Sequence, residues 1–334
     1  MATAKEMLGA LDEGTLDGRL GEVYPGGTGR LTSERQRYRK VLSAFAELYG
    51  ADRPVSVYSA PGRCEIGGNH TDHNNGLVLA AAVDLDIIAV VSQNRENILR
   101  VTSEGFEKPD HIDLSQLAFQ REEEGTSAAL LRGLAAGFEQ AGVQVGGFDA
   151  YTTSQVLRGS GLSSSAAFEV CMATAMNGEY NNGEFAPTAL AILGQQAENE
   201  YFGKPSGLMD QMSSAVGGAV VIDFKNPQKP LVSPLTLSLS RHGHLLVITD
   251  TGGSHVDLTD DYAAIRNEMN QVSAYFGKET LRDVKEDLFL QHLPTLRRQT
   301  GDRALLRSMH FYAECRRVRN MQAAIIDGDF SLFL

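Results

Sequence analysis

Several residue types are scarce in this sequence of 334 residues, and their scarcity excludes whole classes of protein. Tryptophan is absent, and there are only three cysteines, Cys64, Cys171 and Cys315. Three widely spaced thiols form no metal-binding pattern and cannot all pair, which excludes a disulfide-rich secreted fold and indicates reduced thiols in the cytoplasm. No apolar run approaches the roughly 20 residues that a membrane-spanning helix requires, so a membrane protein is not expected.

Positive charge is also in deficit, because 30 lysines and arginines face 42 aspartates and glutamates, a net charge of −12. This balance argues against nucleic acid and anionic membranes as partners. It does not exclude ATP, because nucleotide phosphates are held by local loops and helix ends rather than by the net charge of the protein. The hydrophobic fraction of 42% is typical of a globular protein, and the length suits two domains.

Apolar periodicity alternates between the helical and the extended pattern along the chain, which predicts an α+β fold. Helices are predicted at residues 33–49, 127–141, 166 onward, 187–201, and from 260 onward, the last of them at about 304–327. Strands are predicted near residues 55–63 with a break at Pro61-Gly62, within 77–91, and at 148–154, 217–224 and 244–249. The domains are predicted as a partly helical N-terminal extension at 1–35, an N-terminal domain at 36–215 and a C-terminal domain at 216–334.

A glycine- and serine-rich segment, GSGLSSSAA at residues 159–167, follows a predicted strand and enters an apolar helix. Such a turn lets main-chain N–H groups approach an anion at the positive end of the helix dipole, while the serine hydroxyls bind phosphate or Mg²⁺. The segment is neither a Walker A loop nor a nucleophile elbow, since the residue types that define those patterns are missing. The alternative is a flexible loop followed by a serine N-cap.

A second polar segment, GRCEIGGNHTDH at residues 62–73, follows the first predicted strand. Arg63 is placed where a guanidinium binds a phosphoryl group or a carboxylate. Asn69, His70 and Asp72 supply the donors and acceptors that recognition of neighbouring sugar hydroxyls requires. The alternatives are a metal site formed by His70, Asp72 and His73, and a polar surface turn.

Two carboxylates, Glu198 and Asp210, lie in the segment QAENEYFGKPSGLMDQ. One carboxylate for Mg²⁺ and one beside the accepting hydroxyl is the minimum that phosphoryl transfer requires of a protein. An isolated Glu or Asp is ordinarily a surface charge, so this pair gains meaning only together with the two preceding segments.

Together the segments resemble the galactokinases of the GHMP small-molecule kinase superfamily. PGRCEIGGNHTDHNNG resembles the N-terminal sugar motif of that family, and RGSGLSSSAAFEV resembles its phosphate-binding motif. GLMDQ resembles the segment with the catalytic aspartate, and SHVDLTDDYAAIRNE a segment whose tyrosine contacts the sugar. The resemblance runs from about residue 36 to the end, and the order of the four segments makes it specific.

The resemblance implies a two-domain GHMP kinase fold, with an N-terminal α/β domain and a ferredoxin-like C-terminal domain. It implies phosphoryl transfer with Arg63 stabilising the transferred group and Asp210 accepting the proton of the sugar hydroxyl or orienting that hydroxyl. It assigns Ser165 and Glu198 to Mg²⁺. The residues that it assigns to ATP are Gly159, Ser160, Gly161, Leu162, Ser163, Ser164 and Ser165. The residues that it assigns to the sugar are Asn69, His70, Thr71, Asp72, Gly207 and Tyr262.

The chain departs from the family pattern at three places. Asn69 replaces the usual glutamate, His73 replaces the usual tyrosine, and Cys64-Glu65-Ile66-Gly67 replaces an apolar run. The third glycine-rich motif of the family is not present, so the C-terminal domain is expected to be incomplete. The resulting hypothesis is a monomeric, ATP- and Mg²⁺-dependent kinase for galactose. The alternatives are a kinase for N-acetylgalactosamine or arabinose, and a sugar sensor without turnover.

Overall fold

The computed structural model describes residues 1–157, 159–249 and 259–334, without the side chains of residues 259–262. The helices of these residues are α1 (Ala4–Asp12), α2 (Asp17–Val23), α3 (Gly27–Tyr49), α4 (Ser127–Gln140), α5 (Ser164–Tyr180), α6 (Pro187–Ala197), α7 (Met209–Val216), α8 (Thr259–Tyr275), α9 (Glu286–Gln291), α10 (Leu293–Asp327) and α11 (Phe330–Phe333). The strands are β1 (Ser56–Gly67), β2 (Leu77–Gln93), β3 (Ile98–Ser103), β4 (Asp110–Asp113), β5 (Phe148–Ser154), β6 (Ala219–Asp223) and β7 (Leu231–Leu235). This mixture confirms the predicted α+β class. None of the described helices is both long and apolar enough to cross a membrane.

The chain divides into two compact units that are discontinuous in sequence. The first unit comprises Met1–Gly62, Asp84–Leu157 and Ser163–Ser206, and the second comprises Arg63–Val83, Arg158–Leu162 and Gly207–Leu334. Strands β1 and β2 are each shared by both units, since the divisions at residues 62–63 and 83–84 fall within them. The domain boundaries predicted at residues 35 and 215 stay a prediction.

In the first unit, β5 lies between a parallel strand on one side and an antiparallel strand on the other. It pairs in parallel with β3, with Leu99 opposite Phe148, and antiparallel with β2, with Ile87 opposite Ser154. β3 pairs antiparallel with β4 at its other edge. The apolar helices α4 and α5 are rich in buried side chains of this unit, among them Leu131, Phe138 and Met172.

Residues 1–35, predicted as an extension, pack on the first unit. Leu11 of α1 and Leu20 of α2 belong to one buried cluster with Phe45 of α3 and Ile88 of β2. The hydrophobic burial of these helices therefore stabilises the unit directly.

The second unit contains the other end of β2, which pairs antiparallel with β6, and β6 pairs antiparallel with β7. Its core combines β2 and β6 with the C-terminal helices, and the largest members include Leu79, Phe289 and Phe311. α10 is interrupted at Gly301, where φ is 84° and ψ is 169°. The helix predicted at about residues 304–327 is the part that follows this interruption.

Three predicted elements differ from the structure for identifiable reasons. β1 continues through Pro61, because the fixed φ of proline is compatible with an extended backbone. The proline removes only one main-chain N–H donor from the strand. Residues 244–249 form no strand, and their side chains are exposed, Val247 to 78%. A β-branched composition favours a strand only where a neighbouring strand is available for pairing. The helix predicted to Tyr201 ends as an α-helix at Ala197 and continues as a π-helical turn, Glu198–Phe202.

Candidate functional site

The loop at residues 68–76 joins β1 to β2 and is folded so tightly that two of its positions have no room for a side chain. A Cβ on Gly68 would lie 2.2 Å from the Leu77 carbonyl oxygen, and a Cβ on Gly76 would lie 2.4 Å from Thr71 Cβ. Thr71, predicted as a sugar ligand, is fully buried, and its hydroxyl is 2.9 Å from the Gly68 carbonyl oxygen and 2.7 Å from that of Leu77. Its side chain therefore holds the loop closed.

Asp72 and Gly207, both predicted as sugar ligands, come together in the second unit. A Cβ on Gly207 would stand 2.0 Å from Asp72 Oδ2, so the main chain before α7 lies directly against this carboxylate. The other oxygen of Asp72 accepts the His73 main-chain N–H at 3.0 Å. The carboxylate is therefore fixed from both sides, in an orientation set by the loop.

His70 has a left-handed backbone with φ of 59°, which is uncommon for a residue with a Cβ. Burial lowers the pKa of its imidazole below the ordinary value, and the opposing charge of Asp72 does not reverse the shift. The ring is therefore mostly neutral near pH 7, with one donor and one acceptor nitrogen for neighbouring groups. Strained backbone of this kind concentrates at functional sites.

Arg63 connects β1 to the first turn of α7. Its Nε and Nη2 lie 2.8 Å and 2.7 Å from the same oxygen, Asp210 Oδ1, and the two side chains are only 13% and 23% exposed. The Arg63 main-chain N–H donates to the Leu162 carbonyl oxygen at 3.1 Å, and Nη1 donates to that of Gly161. Burial disfavours the charged guanidinium, but the charge of Asp210 outweighs this effect and raises the pKa of Arg63.

The glycine- and serine-rich segment is divided between the two units, with residues 159–162 in the second unit and Ser163 onward in the first. Gly159, Gly161 and Ser163 all have left-handed φ, at 72°, 77° and 59°. Alternation of left-handed residues turns successive main-chain N–H groups toward one side, which is the geometry of anion-binding loops. Ser163 occupies the N-cap of α5, and its side chain makes no capping hydrogen bond to the first turn of that helix.

Ser165 and Glu198, the predicted Mg²⁺ ligands, meet in the first unit. Ser165 Oγ donates to Glu198 Oε1 at 3.1 Å, and Glu198 is 2% exposed. Glu198 begins the π-helical turn, which Gly203 closes by donating its N–H to the Glu198 carbonyl oxygen. A hydroxyl beside a carboxylate fits Mg²⁺, which commonly takes one or two protein oxygens and fills its shell with phosphate and water.

Lys204 is a functional candidate that sequence reasoning missed. Its Nζ lies 2.8 Å from Glu198 Oε1, the oxygen that also accepts the Ser165 hydroxyl. The ammonium therefore supplies positive charge where the carboxylate is nearly buried. The only signal in the sequence is the position of Lys204 in the loop that follows Glu198.

The alternative metal site at His70, Asp72 and His73 is not formed. Within residues 1–157, 159–249 and 259–334, no group of three or more His, Cys, Asp or Glu side chains converges as metal ligands do. His73 Nε2 lies 3.8 Å from Asp72 Oδ1. Tyr262, the remaining predicted sugar ligand, lies in α8 with its side chain outside the described residues.

Asn69 is exposed, and its side chain binds a residue that sequence reasoning did not assign. Asn69 Nδ2 donates to Glu65 Oε2 at 3.1 Å. Burial and the neighbouring charge of Asp72 raise the pKa of Glu65 to about 7. The main chain beneath this pair is held by α10, since His310 Nε2 is 2.9 Å from the Asn69 carbonyl oxygen and Glu314 accepts the Gly68 N–H.

Comparison with known proteins agrees with the sequence motifs. Residues 43–93 match the family model "Galactokinase galactose-binding signature", and residues 128–218 match "GHMP kinases N terminal domain". The galactokinase of Streptomyces coelicolor is 35% identical over 289 residues, covering 85% of this chain and 72% of that protein. The human galactokinase is 34% identical over 299 residues, covering 87% of this chain and 73% of that protein. The crystal structure of Lactococcus lactis galactokinase complexed with galactose has a TM-score of 0.71 at 22% identity, covering 87% of this chain and 75% of that one.

Proposed function

The chain belongs to the galactokinase family of ATP-dependent sugar kinases, and we propose that it phosphorylates galactose to galactose 1-phosphate. The observation that carries the proposal is Arg63, which contacts the predicted base, Asp210, and the main chain of the predicted phosphate loop at Gly161 and Leu162. An arginine in this position places positive charge where a phosphoryl group transfers.

The residues of the second unit supply the proton chemistry and part of the charge stabilisation. Asp210 accepts the proton of the attacking sugar hydroxyl as the new O–P bond forms and the bond between the γ-phosphorus and the leaving ADP oxygen breaks. Arg63 fixes the Asp210 oxygen through two N–H donors and stabilises negative charge on the transferring group. Asp72 orients the sugar, because its carboxylate is itself fixed by Gly207 and the His73 N–H.

Ser165 and Glu198 would hold Mg²⁺ through a hydroxyl and a carboxylate oxygen. When bound, the ion neutralises charge on the ATP phosphates and on the leaving ADP. Residues 159–165 bind the phosphates through main-chain N–H and hydroxyl groups. A cytoplasmic location and a monomeric state are part of the same proposal; the three cysteines are free thiols, as expected in a reducing compartment.

The proposed activity is tested by following ADP formation with ATP, Mg²⁺ and a panel of sugars: galactose, N-acetylgalactosamine, arabinose and glucose. We expect the highest kcat/KM with galactose. Galactose binding in calorimetry without turnover would favour the sensor alternative. A preference for N-acetylgalactosamine or arabinose would support the proposed reaction type but contradict galactose as the substrate.

Glu198→Gln is expected to raise the Mg²⁺ concentration required for half-maximal rate, with activity partly restored at high Mg²⁺. The amide keeps the shape of the side chain and one oxygen but loses the negative charge that Mg²⁺ requires. The measurement is a Mg²⁺ titration of the initial rate at saturating ATP and galactose. Lys204→Met is expected to shift the requirement in the opposite direction, because its ammonium competes for Glu198 Oε1.

The matched control for that titration is Glu123→Gln, which removes a carboxylate paired with Arg132 in the same unit. It should leave the Mg²⁺ requirement unchanged. A Glu198→Gln protein with reduced rate at every Mg²⁺ concentration and an unchanged midpoint would make Glu198 a structural residue.

Gly207→Ala is expected to raise the KM for galactose with a much smaller effect on the KM for ATP. The new methyl group would meet Asp72 Oδ2 at 2.0 Å, so the carboxylate that orients the sugar must move. Steady-state kinetics with each substrate varied in turn separates the two effects. Gly29→Ala on α3, where a Cβ meets no atom within 4 Å, is the control. If Gly207→Ala and Gly29→Ala had the same affinity for galactose, Asp72 would not be a sugar-binding residue.

A further inference from the structure

The Glu65–Asn69 pair carries an inference about how this chain recognises its sugar. Position 69 is where the family usually has glutamate, and this chain has asparagine there. It also has a glutamate four positions earlier, at residue 65, and the two side chains are joined by the hydrogen bond of 3.1 Å between Asn69 Nδ2 and Glu65 Oε2. A carboxylate is therefore still present beside position 69, attached to a different part of the main chain.

The surroundings of Glu65 are those of a binding site rather than of an exposed surface charge. It lies on β1 two residues after Arg63, and the charges that act on it are those of Asp72 on the 68–76 loop and Asp210 on α7, with Arg63 opposing them. These are the residues assigned above to sugar orientation, proton transfer and phosphoryl stabilisation. A carboxylate placed beside the negative charges of Asp72 and Asp210 is costly unless a ligand uses it.

The hydrogen bond to Asn69 also fixes which part of Glu65 serves a ligand. One N–H of the amide engages Oε2, and a carboxylate has about four lone-pair positions on two oxygens, so acceptor capacity remains. Asn69 is exposed and sits on a loop whose main chain is held by His310 and Glu314. It is therefore positioned to orient Glu65 without itself carrying the charge.

We propose that Glu65 is a specificity-determining residue that accepts hydrogen bonds from the hydroxyls of the sugar, with Asn69 as the residue that positions it. The acceptor role has moved from position 69 to position 65. The inference rests on the proposed function and names a ligand class, an unsubstituted monosaccharide with adjacent free hydroxyls. An N-acetyl group is disfavoured in its place, because its carbonyl oxygen would face the carboxylate oxygens.

The test is a set of three variants: Glu65→Gln, Asn69→Glu, and the two combined, which moves the carboxylate back to position 69. Glu65→Gln is expected to weaken galactose binding about 10- to 100-fold, on the scale of one hydrogen bond to a charged group, with little change in the KM for ATP. Asn69→Glu alone is also expected to weaken binding, because two carboxylates would then adjoin. The double variant is expected to recover most of the lost affinity.

The measurements are galactose affinity by calorimetry, the KM for galactose and for ATP, and the unfolding temperature of each variant. Asn69→Ala, at an exposed position, gives a second variant if Glu65→Gln does not fold, with an expected loss of a few-fold in galactose affinity. The wild-type affinity is expected to increase from pH 6 to pH 8 as Glu65 ionises among Arg63, Cys64, Asp72 and Asp210, and Glu65→Gln should flatten this dependence.

Two results would overturn the inference while leaving the proposed function intact. One is an active wild type with Glu65→Gln binding galactose normally. The other is tighter galactose binding by Asn69→Glu alone, which would return the acceptor role to position 69. A wild type that neither binds nor phosphorylates galactose would instead overturn the proposed function, so the two failures are distinct.

Discussion

Asp210→Asn is expected to reduce kcat by about 10²- to 10⁴-fold, the usual contribution of a general base, with galactose and ATP affinities nearly retained. The amide has the shape of the carboxylate and can still accept a hydrogen bond from Arg63, so the local packing should persist. It cannot take the proton of the sugar hydroxyl. Single-turnover kinetics together with equilibrium binding of each substrate measures the two effects separately.

The control for this experiment is Asp223→Asn. Asp223 is bound by Arg282 at 2.7 Å and 2.9 Å in the same unit, so the control removes a comparable ion pair. Its kcat should be close to that of the wild type. If Asp210→Asn kept a normal kcat at every pH, the proton would have to go elsewhere, and Asp210 would be only the counter-ion of Arg63.

Arg63→Met is expected to lower kcat/KM by about 10³- to 10⁵-fold, the range measured for arginines that stabilise a transferring phosphoryl group. Methionine fills similar space but removes the charge and every donor that reaches Asp210 and Gly161. Arg63→Lys should recover only a small part of the loss, because a single ammonium cannot reproduce donors that point in separate directions. The measurement is steady-state kinetics at saturating Mg²⁺.

The same exchange at Arg282 separates catalysis from stability. Arg282→Met removes a partly buried guanidinium whose Nη2 contacts both carboxylate oxygens of Asp223, so it should lower the unfolding temperature without a comparable loss of kcat/KM in the folded protein. If the activity lost in Arg63→Met only matched its loss of folded protein, Arg63 would be a structural residue.

The elements that could be predicted from the sequence are those whose local pattern is strong. The helix predicted at residues 33–49 is contained in α3, and the strand predicted at 148–154 is β5. The extended stretch at residues 244–249 has equally favourable composition but no strand partner among the described residues, and strand formation depends on pairing. The acidic interruption of β2 at Asp86 is explained only in three dimensions, because Arg37 and Tyr24 bind this buried carboxylate.

In the candidate site too, residues within one contiguous motif could be predicted from the sequence, whereas contacts between residues far apart in the sequence could not. The loop residues could be assigned from a contiguous motif, and that assignment includes Thr71, whose hydroxyl the fold uses internally. The contact between Arg63 and Asp210 joins residues 147 positions apart, which no spacing rule predicts. Glu65 was noted only as part of a segment that departs from the family's apolar run, and no role was assigned to it. The role proposed for it depends on the charges that the fold places around it.

The π-helical turn at Glu198–Phe202 makes the length of this segment as important as its composition. Its hydrogen bond from Gly203 to Glu198 spans five residues, one more than in an α-helix. Deleting any one residue of the turn would allow a regular α-helix and rotate everything after it by about 100° relative to Glu198. Lys204 would then no longer reach the Glu198 carboxylate, although Lys204, Ser165 and Glu198 would all still be present in the sequence. In this stretch single-residue insertions and deletions should be tolerated less well than most substitutions.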